Sequence, residues 1–173
     1  MAFSDQLLEA GADVWEAQLS HPFVVELAEG TLDEAAFRHW LKQDYQYLLD
    51  YARLLAVAGA RARDERTMTE LLGIATGTLE YEMDLHRECA GEYGLTTSDL
   101  ERAETAPTCV AYTSYLLRTA YEGSIAEISA ALYPCGQGFL DVGEHAADIA
   151  TDIHQYTPWI ETYDSDEFRN IVD

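Results

Sequence analysis

Thr31-Leu32-Asp33-Glu34-Ala35-Ala36-Phe37-Arg38-His39-Trp40-Leu41-Lys42-Gln43-Asp44-Tyr45-Gln46-Tyr47-Leu48-Leu49-Asp50-Tyr51 is the stretch that decides the fold. Thr31 to Glu34 has the form of a capping box and predicts a helix start. The helix it opens is expected to reach about Arg63. At ~100° per residue, Trp40, Asp44, Tyr47 and Tyr51 fall within an arc of roughly 60° on that helix, so one face carries an acid and three aromatic rings. Aromatic residues at helical spacing are usually core. A carboxylate among them is unusual, because acids are rarely buried without a partner. Such a face could stack a flat, nitrogen-rich ring while the acid shares a proton with a ring nitrogen.

Helical periodicity extends outward from this stretch in both directions. Leu7, Leu8, Val14, Trp15 and Leu19 recur at three- and four-residue steps, predicting a first helix that ends before His21-Pro22. A short helix follows to about Glu29, with Gly30 as its stop. Asp64 is placed to cap a helix running through Leu71, Leu72, Leu79, Met83 and Leu85 to about Tyr93, where Gly94 ends it. A loop containing Pro107 is expected next, then helices over about 108 to 121 and 125 to 150. Short helical turns should begin at Thr157-Pro158 and at Ser165-Asp166-Glu167. Nothing alternates like a strand and nothing repeats at a solenoid period. The fold class is all-α, a compact multi-helix bundle, and 173 residues suit a single domain spanning 1–173.

The charge balance speaks about environment and partners. Against 32 acidic residues stand 10 basic ones, a net charge of −22, and Lys42 is the sole lysine. Such a shell repels itself in dilute buffer and is screened in concentrated salt, as in the cytoplasm of a halophilic archaeon. With 48% hydrophobic and 11% aromatic residues the chain can bury a core, so disorder is excluded. The acids are spread over helix faces, which argues against nucleic-acid or anionic-membrane partners. The N-terminal residues lack the features of a signal peptide, and no apolar run approaches the ~20 residues of a membrane span. A cytoplasmic location is expected.

Chemistry points to a second phrase, Tyr133-Pro134-Cys135-Gly136-Gln137-Gly138-Phe139. Pro134 falls inside a predicted helix and should break its ladder of hydrogen bonds, leaving a kink beside Cys135. Gly136 and Gly138 leave space for a ligand near the main chain. A thiol there could serve as a nucleophile if a neighbour lowers its pKa, and Tyr47 is a candidate donor. Cys89 and Cys109 are read as inert buried thiols, and an odd cysteine count with no close pair supports neither a disulfide framework nor a thiolate zinc site. Asp141, His145, Asp148 and Asp152 share a helical face, and Glu82 and His86 stand four apart, so a metal site is conceivable. The Glu-x-x-His step of carboxylate di-iron proteins is absent, however. No metal is expected, and His21, His39 and His154 are read as structural.

Three phrases, His39 to Tyr47, Tyr133-Pro134-Cys135 and Trp159 to Phe168, give the whole chain a resemblance to the TenA family of thiaminase II enzymes, whose all-helical fold is shared with haem oxygenases. The resemblance implies that Cys135 is the nucleophile, that Asp44 binds the pyrimidine and that Tyr47 activates the cysteine. It also places Tyr112, Gln137 and Tyr163 in the substrate pocket, to which the stripe on the long helix adds Tyr51. The implied reaction is hydrolysis of aminomethylpyrimidine, with thiamin a slower substrate, to hydroxymethylpyrimidine for thiamin salvage. The implied assembly is a homotetramer, with no metal or organic cofactor. Two departures accompany the match. Phe139 stands where relatives often carry tyrosine, and the family's C-terminal helix, with its proton-donating glutamate, is expected to be missing. A di-iron oxygenase on the same scaffold and a non-catalytic pyrimidine-binding protein are the alternatives.

Overall fold

The computed structural model describes residues 3–172, which form helices joined by short turns, with no strand among the described residues. They cluster into two units, one built from residues 33–131 and the other from the N-terminal 32 residues together with 132–173.

The first of these is organised around α4 (Glu34–Arg61). Its cap is Asp33, whose carboxylate accepts from the Ala35 N–H at 2.8 Å. Thr31, expected to open the helix, instead closes the preceding one: its own N–H bonds back to the Glu26 carbonyl at 2.9 Å. Aspartate with helical residues after it is as good a cap as threonine, and the glycine at 30 commits Thr31 to the turn. From α4, Phe37, Leu41, Leu54, Leu55 and Ala58 are buried. They pack on α5 (Glu65–Gly77), α6 (Met83–Glu92), α7 (Thr97–Glu101) and α8 (Pro107–Glu122). Asp64 caps α5 as expected, accepting from the Thr67 N–H at 2.9 Å.

The predicted helix from Asp64 to Tyr93 is interrupted. Residues Thr78–Glu82 form a π-helical turn between α5 and α6. Such insertions rotate the following helix and often mark functional sites. The short α7 is a further helix that the apolar periodicity does not predict, and Thr96 and Asp99 open it with a complete capping box. Gly94 has φ +71°, and the Leu95 N–H returns to the Ala90 carbonyl, the left-handed stop its position predicted.

The other unit gathers α1 (Phe3–Ala10), α2 (Ala12–Leu19), α3 (Pro22–Ala28), α10 (Thr157–Tyr163), α11 (Asp166–Val172) and the Leu132–Ile149 part of α9 (Ile125–Ile149). The single N-terminal helix expected from periodicity is divided at Gly11. Tyr156, fully buried, donates its hydroxyl to the Leu32 carbonyl at 2.7 Å, and His154 Nε2 bonds the Ala28 carbonyl at 2.9 Å. These contacts bear out the structural reading of His154. Gly143 admits Tyr163, whose backbone would lie 2.6 Å from a Cβ at that position. α9 is helical through Pro134 without interruption. The missing N–H is therefore absorbed within a continuous helix, and the broken ladder expected there does not end or divide it.

Candidate active site

The residues singled out in the sequence divide between the two units. On α4 the stripe is assembled as its spacing predicted. Asp44 and Tyr47 are buried, and Tyr47 stacks on Tyr51 with ring centroids 5.8 Å apart. Tyr112, from α8, also stacks on the Tyr47 ring, at 5.7 Å and 8° between planes. α8 is held in place by α4 itself. Gln43 donates to the Glu104 carbonyl at 3.0 Å and accepts from the Ala106 N–H at 2.7 Å, while Gln46 donates to the Leu100 carbonyl at 2.8 Å. Two side-chain amides on α4 thus fix the chain just before Tyr112, whose ring is partly exposed.

Among the described residues Asp44 is the one acid that is buried. Burial pushes its carboxyl up to about 7, because the low-dielectric interior disfavours the charge. Its Oδ2 lies 3.5 Å from Nδ1 of His86, on α6 and equally buried. His86 Nε2 lies 2.7 Å from the Leu41 carbonyl, and the imidazole also approaches the Trp40 and Tyr45 rings at 6.0 and 6.2 Å. The His86 pKa is lowered, chiefly by burial and against the pull of the Leu41 bond. Glu82 closes the π-turn. The residue as a whole is exposed, yet its carboxyl is desolvated and raised for that reason first and by the Asp44 charge second.

His86 is the residue that sequence reasoning missed. Its spacing in the sequence pairs it only with Glu82, four positions away, as half of a metal site. Its partner is instead on another helix, and no spacing within one helix could reveal that. Among the described residues no three His, Cys, Asp or Glu side chains stand together as a metal site. Asp141, from the acidic face of α9, is engaged otherwise. Trp15 Nε1 donates to its Oδ2 at 2.6 Å, and Gln137 Nε2 donates to its Oδ1 at 2.7 Å.

The remaining candidates lie in the N- and C-terminal unit. Cys135 is half-buried on α9. Two residues on, Gln137 has its amide orientation set by Asp141, with the Gln137 Oε1 left as the end able to accept. Tyr163 of α10 is packed by Phe139 at 4.9 Å, Trp159 at 4.5 Å and Phe168 at 4.9 Å. Phe139 therefore serves as an aromatic wall for Tyr163. The other thiols differ in character. Burial, then Glu92, pushes Cys89 up to about 11, and burial, then Asp50 and Asp44, raises Cys109. Both stay protonated at neutral pH and make poor nucleophiles.

An all-helical chain with an acid-and-aromatic face and a thiol on a proline-bearing helix defines a narrow class of protein. The TENA/THI-4/PQQC family model matches residues 9–173, and the chain belongs to that family. Over its full length it is 40% identical to the aminopyrimidine aminohydrolase of Halalkalibacterium halodurans, covering 78% of that protein. It is 36% identical to the aminopyrimidine aminohydrolase of Bacillus subtilis, covering 73%. Among solved structures, a TenA homologue from P. horikoshii OT3 superimposes with a TM-score of 0.95 at 32% identity, over 99% of this chain and 81% of that one. A protein from Shewanella denitrificans described as having a heme oxygenase-like fold superimposes at 0.76 with 16% identity, a likeness of fold alone. The all-α, haem-oxygenase-like architecture expected from the sequence is the one observed.

Proposed function

We propose that the chain is an aminopyrimidine aminohydrolase of the thiaminase II type, hydrolysing aminomethylpyrimidine to hydroxymethylpyrimidine and ammonia in thiamin salvage. The observation that carries this reading is Asp44: a buried acid with a carboxyl near 7, on a face of stacked aromatic rings, in a chain whose full-length relatives are named for that activity. An aminopyrimidine offers a flat face to stack and a ring nitrogen beside an amino group. A carboxyl that can hold or release its proton near neutrality matches both.

In this reading the Cys135 thiolate adds to the pyrimidine ring, and Asp44 holds the proton at the ring nitrogen. The ring, now electron-rich, expels the amine from its methylene as the C–N bond breaks. Water adds to the methylene in its place, and the C–S bond then breaks to return the thiolate. Tyr47 is assigned the activation of the thiolate. Tyr51, Tyr112 and Tyr163 line the ring, and Gln137, aimed by Asp141, contacts the substrate. No metal or organic cofactor takes part. We place the protein in a salt-rich cytoplasm as a homotetramer, a reading supported by exposed Leu72, Ile74, Leu79 and Leu85. The direct test is ammonia release from aminomethylpyrimidine. Binding of hydroxymethylpyrimidine without turnover would instead make the chain a pyrimidine-binding protein.

A further inference from the structure

We propose, resting on the reading that Asp44 holds the pyrimidine, that His86 is a positioning residue: its Nδ1 faces Asp44 as a proton acceptor, and the two side chains share one proton. That proton can cross to His86 when a ligand needs a carboxylate.

The tautomer follows from the acceptor beside the ring. A carbonyl has no hydrogen to give, so at 2.7 Å from the Leu41 oxygen His86 Nε2 must carry the hydrogen. In a neutral imidazole the other nitrogen, Nδ1, then holds a lone pair, and this is the nitrogen that stands 3.5 Å from Asp44 Oδ2. Two electron pairs facing each other in a buried site would be repulsive. One proton between them resolves it, either on Asp44 Oδ2 or on His86 Nδ1, and both arrangements hold the same number of protons. The crossing breaks an O–H bond, forms an N–H bond and needs no other reactant. Burial acts the same way on both partners, raising Asp44 and lowering His86, which favours the uncharged pair in the ligand-free protein.

The π-turn makes this meeting possible. It adds a residue to the turn before α6 and so resets the face on which His86 emerges. Other titratable groups act on the pair from α4, α6, α8 and the π-turn. Glu82 of the π-turn adds negative charge against Asp44, and Arg87 of α6 disfavours an imidazolium. Tyr45 of α4 lies against the imidazole, and Cys109 of α8, itself influenced by Asp50, feels the Asp44 charge. With a pyrimidine bound, an ionised Asp44 accepts from the ligand's donors, and protonated His86 keeps that charge paired.

The test has a ligand-free arm and a ligand arm. Nitrogen-15 NMR of the imidazoles at neutral pH should show His86 with Nε2 protonated and Nδ1 bearing a lone pair; saturation with hydroxymethylpyrimidine should protonate Nδ1. A ligand-free His86 with a bare Nε2, or an Nδ1 that stays unprotonated when the ligand is saturating, overturns the proposal. His86→Gln supplies an amide that can donate to the carboxylate but cannot carry its proton. Binding by this variant must release the Asp44 proton to solvent, so its hydroxymethylpyrimidine affinity should rise with pH below the Asp44 titration, by up to about tenfold per pH unit, where the wild type, which keeps the proton within the pair, shows no such rise. His86→Asn serves as the second variant. Lower affinity with the wild-type pH dependence in both would leave His86 a packing residue and overturn the proposal. If hydroxymethylpyrimidine fails to bind the wild type at all, the functional reading falls, and the ligand-free spectrum still decides whether the pair shares a proton.

Discussion

Replacing Asp44 by Asn should make the protein's stability respond to pH in a different way, and the size of the change follows from burial. In the unfolded chain the Asp44 carboxyl titrates near ~3.9. In the folded chain burial raises it to about 7. Between those values the native state holds a proton that the unfolded state has lost, so this group's contribution to stability declines as pH rises. The slope is about 1.4 kcal/mol per pH unit, and from pH 5 to pH 8 the loss amounts to about 2.5 kcal/mol. His86 works in the opposite direction. Its folded pKa is lowered, so its contribution grows as pH rises through the ordinary histidine range. The two effects partly cancel in the wild type, and the variant, which retains His86, separates them. Asp44→Asn should therefore gain on the wild type by about 2.5 kcal/mol from pH 5 to pH 8, or roughly 5–10 °C in melting temperature for a chain of this size. The measurement is urea unfolding at several pH values in molar potassium chloride, where exposed carboxyls are screened in both proteins. A gap between the two that stays constant within about 0.5 kcal/mol would refute the raised carboxyl.

Asp44→Asn should also weaken hydroxymethylpyrimidine binding by about tenfold to a hundredfold in calorimetry, the value of one charge-assisted hydrogen bond of ~1.5–3 kcal/mol. Cys135→Ser should abolish ammonia release while circular dichroism reports an intact fold, whereas Ser at Cys89 or Cys109 should change the rate little, since both thiols are held protonated. Melting temperature should climb as potassium chloride rises from ~0.1 M to molar levels, because screening relieves the repulsion of a −22 chain; a flat or falling curve would remove the halophilic reading. Asp141→Ala should raise KM more than it lowers kcat, because Gln137 and Trp15 both lose the acceptor that orients them.

What could be read from the sequence was whatever lies within one helix. The α4 stripe, the Asp64 cap and the left-handed stops at Gly30 and Gly94 each depend on residues a few positions apart, and each is observed. The stacking of Tyr112 on Tyr47 is different in kind: the resemblance puts Tyr112 in the pocket, but nothing in the spacing of residues 65 apart predicts a stacked pair. Where the reading failed, two local rules competed. Thr31 and Asp33 both have the chemistry of a cap, and Gly30, by ending α3, settled the choice in favour of Asp33. The π-turn at Thr78–Glu82 had no sequence signal, since a single inserted residue leaves the apolar spacing of Leu71, Leu79 and Met83 nearly helical. That insertion also hid His86. A histidine four residues after a glutamate looks like half of a ligand pair only while the helix between them is regular.

The surface and the site face opposite electrostatic demands. Nearly all of the acidic residues are at least partly exposed, where molar salt, with a Debye length of ~3 Å, screens each from the next. Salt cannot reach Asp44, so its proton must be held by burial and by His86 rather than by the ionic medium. In dilute buffer the field of the whole shell would also favour protonation of Asp44, and the pocket would titrate with ionic strength as well as with pH. In concentrated salt that field collapses, leaving the nearby charges of Glu82 and Arg87 and the Trp40 and Tyr45 rings beside His86. A chain that covers itself with negative charge needs such insulation if an internal acid is to keep a fixed proton affinity. The Asp44–His86 pair is insulated in this way because it is neutral as a whole. Its proton can move between partners without altering the charge that the shell feels.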